Sequence, residues 1–165
     1  MRYASIRTFD VTNGNGIGVA LFTQGCLFHC KNCFNKETWD LDGGKEWNKE
    51  IEDKFIELIE RPYIKRVSFL GGEPLLERNI EDLEKLFKRI KDNYPEKKIW
   101  LYSGNTYEAI LSRNKELLSY VDILVDGLYK DELRDLRLPY RGSSNQRVID
   151  VQKSLKESEI ILYSK

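Results

Sequence analysis

Short apolar runs alternate along this chain with stretches whose apolar residues recur at helical spacing, and that alternation restricts the fold. Val19–Thr23, Ile64–Leu70, Ile99–Tyr102 and Tyr120–Val125 read as strands. Asn48–Glu60 places Ile51, Phe55, Leu58 and Ile59 on one helical face. A second helix, capped at Asn79 and running to Asn93, carries Ile80, Leu83, Leu86, Phe87 and Ile90 at i, i+3, i+4 spacing. A third runs from a Thr106 cap to about Arg113. Ile6–Val11 and Val19–Thr23 form a hairpin across the turn Asn13-Gly14-Asn15-Gly16. Beyond Gly127 the pattern weakens to a helical turn, a strand near Gln146–Asp150 and a last piece around Ile160–Tyr163. Such a chain is α/β, with a largely parallel sheet and one domain over residues 1–165.

Each strand runs directly into a small or reactive motif. Val19–Thr23 leads to a cysteine loop and Ile64–Leu70 to Gly71-Gly72-Glu73-Pro74. Ile99–Tyr102 leads to Ser103-Gly104-Asn105, and Tyr120–Val125 to Asp126-Gly127. In parallel α/β folds the carboxyl ends of the strands open onto one face, so these four motifs are expected to converge there.

The chain's three cysteines are Cys26, Cys30 and Cys33. Three thiolates leave a 4Fe–4S cube or a zinc ion one ligand short, and an open metal position is where chemistry occurs. Three readings stand at this point: a cluster with one free iron, a zinc site completed by His29, or inert buried thiols. His29 is adjacent to Cys30, and neighbours in sequence rarely reach one ion together in tetrahedral geometry. An odd cysteine count argues against a disulfide framework. The net charge is zero, with 27 basic and 27 acidic residues, so no nucleic-acid footprint is expected. No apolar run approaches a membrane span and no signal-peptide core follows Met1, so a cytoplasmic protein with reduced thiols is expected.

Two glycines at Gly71-Gly72 let another group approach the backbone closely, and Glu73 is placed to accept from an ammonium group; a plain strand-to-helix turn is the simpler reading. Asp126 is a strand-end carboxylate for a ribose hydroxyl, a cation or a neighbouring amide. Gly14-Asn15-Gly16-Ile17-Gly18 precedes a strand instead of following one, which excludes a dinucleotide loop. Lys130–Arg137 reads as a solvated face, and Arg141–Arg147 as a polar loop.

The loop Cys26-Leu27-Phe28-His29-Cys30-Lys31-Asn32-Cys33, with Gly71-Gly72-Glu73-Pro74, resembles the radical S-adenosylmethionine superfamily. Leu21–Cys26 and Phe34–Trp39 are similar to glycyl-radical-enzyme activases. Tyr102–Glu108, Val121–Gly127 and Arg141–Arg147 resemble, among these, the activating proteins of anaerobic (class III) ribonucleoside-triphosphate reductases. The likeness runs to about residue 150. Two departures stand out: Asn32 precedes the third cysteine where the superfamily often has an aromatic, and Gly18 occupies a position often held by Arg.

The resemblance implies an incomplete, open (βα) barrel, since a closed eight-fold barrel needs about 200 residues or more. It implies a 4Fe–4S cluster on Cys26, Cys30 and Cys33, with S-adenosylmethionine on the open iron. Gly72 and Glu73 would lie at the methionine end, Asn32, Cys33 and Phe34 near the adenine, and Asp126 on the ribose side or at a cation. The implied partners are the large subunit of the reductase, with the Leu138–Asn145 loops in the contact, and a low-potential donor such as flavodoxin or ferredoxin. A radical enzyme acting on a free metabolite such as a deazapurine precursor would share both motifs but has no need of Arg141–Arg147. A non-catalytic zinc module or an electron carrier is the rival from another class, and a carrier normally closes its cluster with four cysteines.

Overall fold

In the computed structural model, which describes residues 1–164, the Asn-Gly turn produces its hairpin. Strand β1 (Arg2–Asp10) pairs antiparallel with β2 (Gly18–Thr23), Ile6 lying opposite Leu21. A two-residue strand, β3 (Lys45–Glu46), adds to the other side of β1. Then come α1 (Lys49–Glu60), β4 (Arg66–Gly71), α2 (Glu77–Asn93), β5 (Lys98–Ser103), α3 (Tyr107–Arg113), α4 (Lys115–Ser119), β6 (Ile123–Asp126), β7 (Arg147–Asp150) and α5 (Val151–Glu157).

These strands form one sheet in the order β3-β1-β2-β4-β5-β6-β7. Only β2, β4, β5 and β6 are mutually parallel; β1, β3 and β7 run against their neighbours. The expectation of a largely parallel sheet is thus corrected to a mixed one, with edges at β3 and β7 that do not meet. The reason lies at the end of β6. The chain leaves it through a long loop with no crossover helix and re-enters from the same end, so β7 must run back.

Strand alternation sorts the side chains onto two faces. Val67, Phe69, Ile99, Leu101 and Leu124 point to the helices and join Phe55, Ile59, Leu83, Leu86, Phe87 and Ile90 in the main core. Each such buried side chain contributes about 1.5–3 kcal/mol. Trp100, Ile123 and Val125 point the other way, against Tyr102, Tyr140, Val148 and Tyr163. Among the described residues no helix contributes to this second apolar cluster, and Tyr102, Val125 and Tyr140 from it line a cavity.

Side-chain caps fix three of the helix starts, Asp150 accepting from the Lys153 N–H at 3.1 Å at α5. Asn48 accepts from the Ile51 N–H at 3.0 Å, and Thr106 from the Ala109 N–H at 3.2 Å as its sequence position indicates. The expected Asn79 cap is wrong: α2 begins two residues earlier, at Glu77. Asn79 is fully buried inside the first turn and donates to the Pro74 carbonyl at 3.1 Å, tying the Gly-Gly-Glu-Pro loop to the helix. Among the described residues, no helix is long and apolar enough to cross a membrane.

Candidate metal centre

Parallel registry brings the four strand-end motifs to one mouth. Thr23 pairs with Gly71 and Ser103 with Asp126, so the loops that follow leave the sheet at one level. Gly25, at φ +106°, turns the chain from β2 into the cysteine loop. Its N–H donates to Thr38 O at 2.6 Å and its carbonyl accepts from the Glu73 N–H at 2.8 Å. A Cβ on Gly72 would lie 2.3 Å from that same carbonyl. The second glycine of the pair therefore lets the cysteine loop pack on β4.

Cys26, Cys30 and Cys33 all line one cavity of about 470 Å³, together with Gly72, Glu73, Phe34, Tyr102 and Arg141. That size suits an organic cofactor. Burial pushes the Cys26 and Cys30 thiols up, and Cys33 adds like-charge repulsion to both. The backbone amides of Phe28 and His29 pull Cys26 the other way, and the Asn35 N–H donates to Cys33 Sγ at 3.4 Å. Thiols crowded in this way ionise readily only around a cation, and amides aimed at sulfur tune an iron–sulfur cluster. Among the described residues, no group of three or more His, Cys, Asp or Glu side chains is arranged to hold a single ion. One zinc would need its sulfurs about 2.3 Å from a common point, whereas a cube spreads them over separate irons. His29 stacks flat on Trp39, ring centroids 4.4 Å apart, so it does not complete a zinc site as placed. The donor set fits a cluster.

Glu73 anchors the mouth. It is buried, and its oxygens accept from the N–H groups of Leu75 and Gly104, from Ser103 Oγ and from Asn105 Nδ2, at 2.7–3.4 Å. Burial raises its pKa, against the pull of those four donors. The Ser103-Gly104-Asn105 motif thus serves Glu73. On Oε1 the Gly104 N–H leaves room for a second donor.

The other expected site residues are placed differently. Phe34 lines the cavity and packs on Tyr129 at 5.0 Å. Asn32 is exposed at φ +55°, a conformation Asn tolerates and a bulky aromatic does not, and donates to Asp131 at 2.9 Å. Asp126 is buried, and its carboxylate is occupied: it accepts from the Tyr107 N–H at 2.8 Å and from two Arg147 nitrogens at 2.6 and 3.1 Å. The segment Arg141–Arg147 is a buckle. Gln146 Oε1 accepts from the Gly142 and Ser143 amides, and its Nε2 donates to Gly127 O, closing the wall of the cavity.

Sequence reading missed the opposite, amino-terminal end of the parallel strands. There Asp10 and Arg66 form an ion pair at 2.8 Å, both side chains sealed from solvent. Burial alone would raise Asp10, but hydrogen bonds from Arg66 and Asn13 hold it below the ordinary carboxylate range. Cβ atoms at Gly14 and Gly18 would lie 2.5 and 2.7 Å from the Arg66 side chain, so Arg66 fills the space that any side chain at 18 would need.

A family model described as a 4Fe-4S single cluster domain matches residues 12–149. The anaerobic ribonucleoside-triphosphate reductase-activating protein of Vibrio cholerae is 39% identical over 148 residues, covering 88% of this chain and 96% of that protein. The proteins of the same name from Escherichia coli K12 and from Enterobacteria phage T4 are each 36% identical, over 150 and 148 residues; both cover 90% of this chain, and 97% and 93% of themselves. This chain belongs to that activating-protein family. The match to the family model includes all three cysteines, Gly72, Glu73 and the Gln146 buckle, so apart from Arg7 the wall of the cavity lies within the matched region.

Proposed function

We propose that this chain activates an anaerobic ribonucleoside-triphosphate reductase as a radical S-adenosylmethionine oxidoreductase, leaving a glycyl radical in the large subunit of its partner. The observation that carries the reading is a single cavity holding three thiols without a fourth, beside Gly72 and Glu73, in a chain of this family. Cys26, Cys30 and Cys33 would hold the 4Fe–4S cluster, leaving one iron for the amino and carboxylate groups of S-adenosylmethionine. Held there and reduced by a low-potential donor, the cluster would supply one-electron reductive cleavage of the sulfonium, with methionine as a product, and through it hydrogen-atom abstraction from a glycine Cα of the reductase.

The residues of the chain bind, orient and exclude. Glu73, held by four donors, keeps Oε1 beside the cysteine loop, where it would accept from the methionine ammonium. Gly72 keeps that loop against β4, and Cys33 with Phe34 lines the adenine side. Asn32 supports this side from outside, through Asp131, and Asp126 through the Tyr107 amide. We read the unclosed sheet as an incomplete barrel whose open side admits a partner's loop, and a flavodoxin or ferredoxin as the electron donor.

Low-temperature EPR on anaerobically reconstituted, reduced protein tests the reading. A 4Fe–4S signal that changes shape with S-adenosylmethionine is expected, followed by a glycyl doublet when the reductase is added. An iron signal indifferent to the cofactor would sink it.

A further inference from the structure

Several residues lining the cavity carry a buried donor with no acceptor among the described residues: Trp39 Nε1, Tyr102 Oη and Arg141 Nε. A buried polar atom left unpaired destabilises the chain that holds it, so its retention points to a ligand that completes it. All three are donors, so the missing group is rich in acceptor oxygen. Trp39 lies at the cysteine end, stacked on His29. Tyr102 does not. Its ring packs against the Trp100, Ile123 and Val125 cluster, and its hydroxyl feels the charges of Arg66 and Asp10. Burial pushes its phenol up, so it stays a protonated donor at any working pH.

We propose that the Tyr102 hydroxyl and the Arg141 guanidinium grip main-chain carbonyl oxygens of the reductase segment that carries the target glycine. This rests on the activating function proposed above. A glycine has no side chain to hold, so the peptide oxygens flanking it are the groups a protein can use to present its Cα. Both donors belong to residues that line the cavity, Tyr102 on β5 and Arg141 in the Gln146 buckle, where Arg141 is anchored by donating through another nitrogen to the Gln146 carbonyl. The methionine carboxylate of S-adenosylmethionine offers the same acceptor chemistry, and the test separates the two.

Tyr102→Phe keeps the ring and removes the hydroxyl. On the reconstituted holoprotein, glycyl-radical yield is measured by EPR against the concentration of the reductase large subunit, alongside S-adenosylmethionine affinity by equilibrium dialysis and the thermal midpoint. The reductase concentration for half-maximal activation is expected to rise about three- to tenfold, the loss of one hydrogen bond. Cofactor affinity should stay within about twofold, and the thermal midpoint should not fall, because no internal bond is lost. A lower midpoint with unchanged half-maximal concentration would make the hydroxyl structural and overturn the proposal. A parallel loss of cofactor affinity would assign it to S-adenosylmethionine and overturn it equally. Wild-type protein that gives no glycyl radical brings down the activating function and this proposal together, whereas an indifferent variant beside an active wild type brings down this proposal alone.

Discussion

At the floor of the sheet Asp10 meets Arg66, opposite charges 2.8 Å apart and both sealed from solvent. At the mouth Cys26 and Cys30 face Cys33, and Cys26 also faces Glu73, groups of their own sign. Both regions are polar, the floor sealed and the mouth partly buried, yet one completes itself and the other does not. The floor uses its charges to hold the hairpin loop over the ends of β2 and β4. The mouth gathers groups that repel one another until a cation sits among them, which is what a site for a metal cluster requires. Polar groups that satisfy each other serve the fold, and those that the fold leaves unsatisfied mark where a ligand goes.

If that division holds, damage at the two ends has opposite effects. Cys30→Ala should abolish activation of the reductase and lower bound iron, while the metal-free chain keeps its thermal midpoint; retained activation would break the comparison outright. Arg66→Met should do the reverse. It leaves the buried Asp10 carboxylate with only the half-exposed Arg7 as counter-charge, a loss of up to about 3 kcal/mol in urea unfolding, with the cysteine loop chemically intact. The smallest effect is in pH dependence, where the two ends differ in sign. Asp10 is depressed, so its contribution is present above its unfolded value near 3.8 and is lost as pH falls through its lower folded value. Glu73 is raised, so its contribution is present below its unfolded value near 4.5 and is lost as pH rises through the folded one. Urea unfolding against pH should therefore show a shallower acid limb in Asp10→Asn, while the decline toward neutral pH persists.

What could be seen in the sequence was local. The hairpin turn, the Thr106 cap and the cysteine loop all depend on residues within a few positions of one another. The strand-end motifs converged because parallel registry follows from alternation alone. The partners that define the site lie farther off: Glu73 takes three of its four donors from some 30 residues downstream, and Arg66 reaches back 56 residues to Asp10. Helices α4 and α5 are five and seven residues long, too short for periodicity to declare them. Asn79 looked like a cap because its chemistry suits one; only the nearby Pro74 carbonyl shows why it is used as a donor. The direction of β7 depended on a loop whose path no spacing encodes.

The contact between Asn15 and Tyr163 has a kinetic meaning. The amide in the first hairpin turn donates to a hydroxyl 148 residues away, near the end of the described chain, and that tyrosine packs on Trp100 from β5. Closing so long a segment costs entropy before any contact repays it, and folds dominated by such pairings form slowly. The aromatic packing around Trp100 is completed by Tyr163, a residue translated well after β5 itself. During synthesis the cysteine loop is therefore translated long before the far wall of its cavity exists.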